Sequence, residues 1–245
     1  MRRQTQAGVT LIELLITITL LSGLSMGLLF AMRVSLNAME KANARVNANR
    51  RVLGVDRVFS QQVAGFLPTK VTCSQGSGAP GTTVSMFQGE PASMRFISTY
   101  SLNEASRGYP RLLEYQVIPT EDGRGVRLIV NERLYSGPSS LAGLCLGVTP
   151  DPIGGFPVGR FRSIEVGGSS FVLADRLAYC RMLYREDLPP PAVGERWVPR
   201  YIRFRWPAAI RIEMAPLEPD PGRLQLSSVT EVIRIQRDPF QTYGN

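Results

Sequence analysis

No histidine occurs among the 245 residues. A chain without imidazole has no Ser-His-Asp triad, no Cys-His pair and no histidine-containing metal site. Cysteine is almost as scarce: Cys73, Cys145 and Cys180 stand far apart, odd in number, with no C-x-x-C among them. There is no G-x-S-x-G and no glycine-rich phosphate loop set between a strand and a helix. Charge is missing from Leu14 to Met32, and proline is missing before Pro68. These gaps argue against an enzyme. They leave no catalytic residue, metal, cofactor or small-molecule substrate to name, and an enzyme on a membrane anchor becomes a remote alternative.

What the first third holds instead is a long apolar run. Val9 to Met32 carries a single charge, Glu13, and follows a short head containing Arg2 and Arg3 and ending in Gly8. At ~1.5 Å per residue, the uncharged stretch roughly spans a hydrocarbon core of ~30 Å as a helix. A carboxylate near the start of such a span costs on the order of 2–3 kcal/mol to insert. A chain that keeps one is expected to use it. An ordinary secretory signal fits poorly, because its apolar core runs ~7–15 residues and precedes a small-residue cleavage site. The other plain alternative is a membrane anchor in which Glu13 is incidental.

Gly8-Val9-Thr10-Leu11-Ile12-Glu13-Leu14-Leu15 resembles the cleavage and methylation motif of type IV pilins and type II secretion pseudopilins. The resemblance implies a leader, residues 1–8, that a prepilin peptidase removes after Gly8. It also implies N-methylation of the new terminus at Val9 and a role for Glu13 in filament assembly. The family's usual first mature residue is Phe, so Val9 departs from the pattern. Arg2 and Arg3 place the N-terminus in the cytoplasm by the positive-inside bias. Basic residues after the span, Arg33 and Lys41 to Arg57, work against that bias, and the orientation leans partly on the resemblance. The same basic stretch, part of a net charge of +8, suits acidic lipid headgroups or acidic filament neighbours. A solvated helix face accounts for it equally well.

The helix is expected to continue past the membrane. Met39, Ala42, Val46, Val52, Val55, Phe59, Val63 and Phe66 recur mostly at steps of three and four, an apolar stripe of helical period. One helix from about Val9 to Phe66 follows, with a transmembrane half at 9–33 and an amphipathic half at 34–67. Gly23, Gly27 and Gly54 weaken it and are the points able to bend or locally melt. After Pro68 the period falls to two, and residues 68–245 read as a β-rich periplasmic domain. Strands are expected at 94–97, 112–118, 126–130, 171–173, 177–184, 202–206, 210–214 and around Ile233 and Ile235. Residues 119–125 form a hairpin turn. The fold class is α+β, the long helix packed on antiparallel sheets as in pilins.

Ser74 to Gly81, Ser136 to Gly159, Asp187 to Pro199 and Pro216 to Gly222 read as Gly/Pro-rich loops. Asp151, Asp187 and Asp220 lie in them without forming a spaced ligand array, so calcium is a minor reading. The arginines alternating along the strands read as solvent-facing, and nucleic acid is a minor reading too. In an oxidising compartment two cysteines pair and one stays free. Cys145–Cys180 is the favoured pair, against three buried free thiols.

Phe171 to Leu177, Met182 to Arg185, Trp197, and Trp206 to Met214 resemble the later half of pseudopilin J of type II secretion, with Thr230 to Arg237 in the place of the last strand. The resemblance implies a single-pass inner-membrane protein that acts as a tip subunit and helps initiate the pseudopilus. Its partners would be the prepilin peptidase, the other minor pseudopilins and the major pseudopilin. A minor pilin of a type IV or DNA-uptake pilus is the alternative.

Overall fold

A computed structural model describes residues 9–73, 81–151, 155–163, 165–168, 170–187, 194–218 and 228–235, with side chains set aside at 44, 45 and 47–52. Gly8 with the leader 1–8, Asp220 and the end of the expected last strand fall outside these residues. The chain divides into two compact units, 1–48 and 49–245.

The elements in order are α1 (Leu11–Ala64), β1 (Phe66–Leu67), β2 (Lys70–Cys73), β3 (Thr82–Ser85), β4 (Gln88–Gly89), β5 (Ser93–Ser101), β6 (Ser106–Pro119), β7 (Val126–Leu134), α2 (Pro138–Ala142), β8 (Cys145–Pro150), β9 (Pro157–Phe161), β10 (Phe171–Asp187), β11 (Glu195–Val198), β12 (Ala209–Pro216) and β13 (Val229–Val232). Among the described residues, nine strands form one antiparallel sheet in the order β1-β5-β6-β7-β10-β12-β13, with β4 on β5 and β11 on β10. Two hairpins, β2–β3 and β8–β9, stand apart from it.

Helix α1 starts where the Thr10 carbonyl accepts from the Glu13 and Leu14 amides. It is one helix through Gly23, Gly27 and Gly54, so none of them melts it. It ends at Gly65, where a β-carbon would stand 2.8 Å from Ser98 Oγ and 2.9 Å from Thr99 Oγ1. Only glycine lets the helix end approach β5 so closely.

The stripe splits in two. Val55, Phe59, Val63 and Phe66 are buried among Phe96, Leu113, Tyr115, Leu128 and Ile210 of the sheet. Phe59 meets the edge of Tyr115 at 6.1 Å, and Phe66 stacks on Phe96 at 5.6 Å. Met39 and Val46, at the same helical spacing, are exposed. The expectation that residues 34–67 pack on a sheet therefore holds only for the last turns. Helical period marks a face but does not supply a partner for it.

A polar knot pins the buried turns. Gln62, fully buried, donates to Glu132 and accepts from the Tyr115 hydroxyl, while its backbone carbonyl takes the Ser98 hydroxyl at 2.8 Å. Ser101 donates to the same Glu132 at 3.0 Å. Each buried polar group thereby has a partner, without which it would cost roughly 1–3 kcal/mol.

On the opposite face of the sheet, Ile97 and Leu112 pack with Val71, Val84, Leu141, Leu144 and Phe161 into a second core. A disulfide ties it together, and it joins Cys73 to Cys145, Cα–Cα 5.7 Å. The expected Cys145–Cys180 pair is thus corrected. Cys180 lies opposite Met214 on β10 and packs against the helix-side core, across the sheet from Cys145. The structure also replaces the expected loop 136–159 with α2, β8 and the start of β9, and places β11 within the expected loop 187–199. The expected strand 202–206 is not one. Pro199 and Pro207 flank it, and only Tyr201 bridges to Gly89.

The disulfide closes a separation of 72 residues. Cys145→Ser should cost about 2–4 kcal/mol, read as a lower urea midpoint under non-oxidising-shuffling conditions. Cys180→Ser should leave the midpoint nearly unchanged. Equal losses from both substitutions would contradict the pairing.

Burial also sets an alkaline limit. It pushes the Tyr115 and Tyr184 hydroxyls well above the ordinary tyrosine range, and those of Tyr201 and the Cys180 thiol up to about 12. The folded chain then holds these protons more tightly than the unfolded chain, whose cysteine and tyrosines ionise near ~8.5 and ~10. Their contribution is fully present below those values and is lost as pH rises through 10 toward 12. The urea midpoint should fall between pH ~8 and ~10.5; a midpoint that rises over that interval would contradict this.

Candidate membrane and assembly site

The residues singled out in the sequence cluster at the start of α1. From Leu11 to Asn43 the helix is long and apolar enough to cross a membrane, and none of it is buried within the protein. Every large apolar side chain from Leu11 to Met39 is at least half exposed. An exposed apolar surface of this length is not stable against water.

Three hydroxyls inside the span are satisfied locally. Thr17 donates to the Leu14 and Glu13 carbonyls, Thr19 to Ile16 and Ser22 to Ile18, at 2.7–3.0 Å. Such back-bonding removes the need for water that a hydrocarbon core could not provide. Glu13 differs from them. It occupies the first helical turn, where the free backbone amides favour a negative charge. Its carboxylate has no ion-pair partner among the described residues. Val9, two residues before the helix, is 72% exposed. The structure therefore brings Val9 and Glu13 to one helix start, and Gly8 lies outside the described residues.

The other candidates do not form a site. Asp151 is buried and engaged by Arg200 at 2.6 Å, and Asp187 is exposed near Arg185. No group of three or more metal-ligating side chains occurs among the described residues. Cys180 stays free, its thiol raised by burial.

Sequence reading passed over one polar constellation. Arg95 and Glu114, central in strands whose neighbours are apolar, are paired at 2.9 Å and almost fully buried. The signal was present as a charge in the middle of each strand, and it was absorbed into an alternation read as solvent-facing. No family model, no curated protein and no solved structure matches the chain.

Proposed function

We propose that the chain is a minor pseudopilin of a type II secretion system, a membrane-anchored subunit that helps start a pseudopilus rather than a catalyst. One observation carries the reading. A lone carboxylate, Glu13, sits five residues after Gly8 at the start of a bare apolar helix, and the same helix ends in the core of an antiparallel sheet. A long N-terminal helix together with an antiparallel sheet supports reading the fold as pilin-like.

Mechanistically, the peptidase frees the amine of Val9. Glu13 in lipid is costly, and a neighbouring subunit's ammonium offers it a partner. In a low dielectric that attraction offsets the desolvation cost of both charges. Association then follows from a side chain that a monomer cannot satisfy. Packing of apolar helices side by side covers the exposed stretch from Leu11 to Met39.

The topology also has support. A disulfide belongs to an oxidising compartment, and Cys73–Cys145 lies in the globular unit. Arg2 and Arg3 precede the span on the cytoplasmic side by the same reading. The globular unit is then periplasmic in a single-pass inner-membrane protein.

Processing tests the reading. Intact mass of the protein from its native membrane should correspond to a chain beginning at N-methylated Val9. Gly8→Val should leave residues 1–8 attached, because a side chain would obstruct the peptidase site. Normal removal of the leader in that variant would defeat the proposal.

A further inference from the structure

A cleft of about 710 Å³ opens on the sheet face away from α1. It lies wholly within the globular unit and is independent of the assembly reading. Its floor follows from strand register. On this face three successive β5–β6 pairs run Ile97–Leu112, Arg95–Glu114 and Ser93–Gln116. The first pair is apolar and sits in the second core. The next two are polar and line the cleft.

The floor is neutral and well tied. Arg95 donates to Glu114 at 2.9 Å, Gln116 donates to the other Glu114 oxygen at 2.8 Å, and the Arg95 guanidinium lies over the Phe161 ring. The wall is the β8–β9 hairpin, fixed by the Cys73–Cys145 disulfide and by Gln88 donating to the Gly159 carbonyl. A cleft held by a disulfide and a cross-link to β4 is formed before any ligand arrives, and its volume lies within the range of ligand sites.

The lining carries charge of both signs. Arg160, exposed on β9, has no ion-pair partner among the described residues, and Arg200, engaged with Asp151, is also in the lining. Glu90 is also exposed in the lining, and the antiparallel Gly89–Tyr201 bridge sets it across from Arg200. Leu146, 57% exposed, and the half-buried Ile202 and Val158 add aliphatic surface near the arginines. A small inorganic anion would use the cations and leave the aliphatic wall uncovered. A peptide with an acidic residue next to an aliphatic one uses both.

We propose that this cleft binds an acidic, partly aliphatic peptide segment of a partner protein, its carboxylate at Arg160 and its aliphatic side chain against Leu146 and Ile202. Glu90, set across from Arg200, leaves Arg160 as the cation that takes the segment's carboxylate.

The test uses the purified full chain in detergent micelles. The probe is a fluorescein-labelled, amidated peptide Gly-Asp-Leu-Asp-Gly, with Gly-Lys-Leu-Lys-Gly as its counterpart, followed by anisotropy against empty micelles. The acidic peptide should bind at least about tenfold more tightly than the basic one, and Arg160→Glu should weaken it by about tenfold or more. Leu146→Asp should weaken it as well. Both substituted residues are exposed, so folding is not at stake, and an unchanged urea midpoint checks this. Equal binding of the two peptides, no effect of Arg160→Glu, or no binding at millimolar peptide would overturn the proposal. Displacement of the label by acetate as readily as by unlabelled peptide would also overturn it, in favour of a small-anion site.

Discussion

Phe59→Asp should unfold the globular unit. Phe59 is fully buried at the junction of α1 and the sheet, edge-on to Tyr115, with Val55 and Val63 one turn to either side. Removing the ring leaves a cavity worth about 3–5 kcal/mol. The new carboxylate is set among apolar side chains, and a buried charge without a partner adds further cost. The sum approaches the whole stability of a typical domain, ~5–15 kcal/mol. Near-ultraviolet circular dichroism of the full chain in detergent reads the loss, because the sheet's tyrosines then leave their fixed surroundings. Val46→Asp, 13 residues back along the same stripe but at an exposed position, should leave that spectrum intact. Native signal in Phe59→Asp would contradict the packing described here.

The contrast between Phe59 and Val46 shows how far the sequence could be read. The α1 boundaries were legible to within two residues, because an uninterrupted apolar run without proline allows little else. The hairpin at 119–125 was legible because Gly123 and Gly125 adopt positive φ that other residues avoid. At Gly125 a β-carbon would also stand 2.3 Å from the Leu177 carbonyl oxygen. Three features escaped for physical reasons. The disulfide joins residues far apart in sequence, and only the stacking of two hairpins on one sheet face brings them together. The alternation at Ile202, Phe204 and Trp206 has strand period, yet its flanking prolines withhold the amides a ladder needs. Arg95 and Glu114 look like solvent-face residues in sequence, and only the hairpin laid over them makes them the floor of a cleft. At the candidate assembly site, by contrast, nearly everything rested on local sequence: one carboxylate, its spacing from Gly8 and the absence of other charge.

Glu13→Leu should separate membrane insertion from assembly. Insertion should be at least as efficient as in the wild type, since a group costing on the order of 2–3 kcal/mol in the bilayer is gone. Leader removal should largely survive, because the cut bond precedes Val9 and lies more than a helical turn from the change. Incorporation beside neighbouring subunits should collapse, because nothing then neutralises the free amine of Val9 or sets the register of one helix against the next. Glu13→Gln should reproduce much of the defect, which assigns it to charge rather than to hydrogen bonding. The folded unit should be untouched, since the described side chains around Glu13 are all exposed.

The most direct measurement is crosslinking from within the span. A photo-crosslinker at Leu24, which is 73% exposed, reports whichever helix lies alongside in the membrane. Under the proposed function, the mature chain with Glu13 present should crosslink to companion pseudopilins, and with Glu13→Leu those products should disappear while the cleaved, membrane-inserted monomer remains. Undiminished crosslinking together with normal secretion in Glu13→Leu would contradict the account, because assembly would then proceed without the one charge on which it rests.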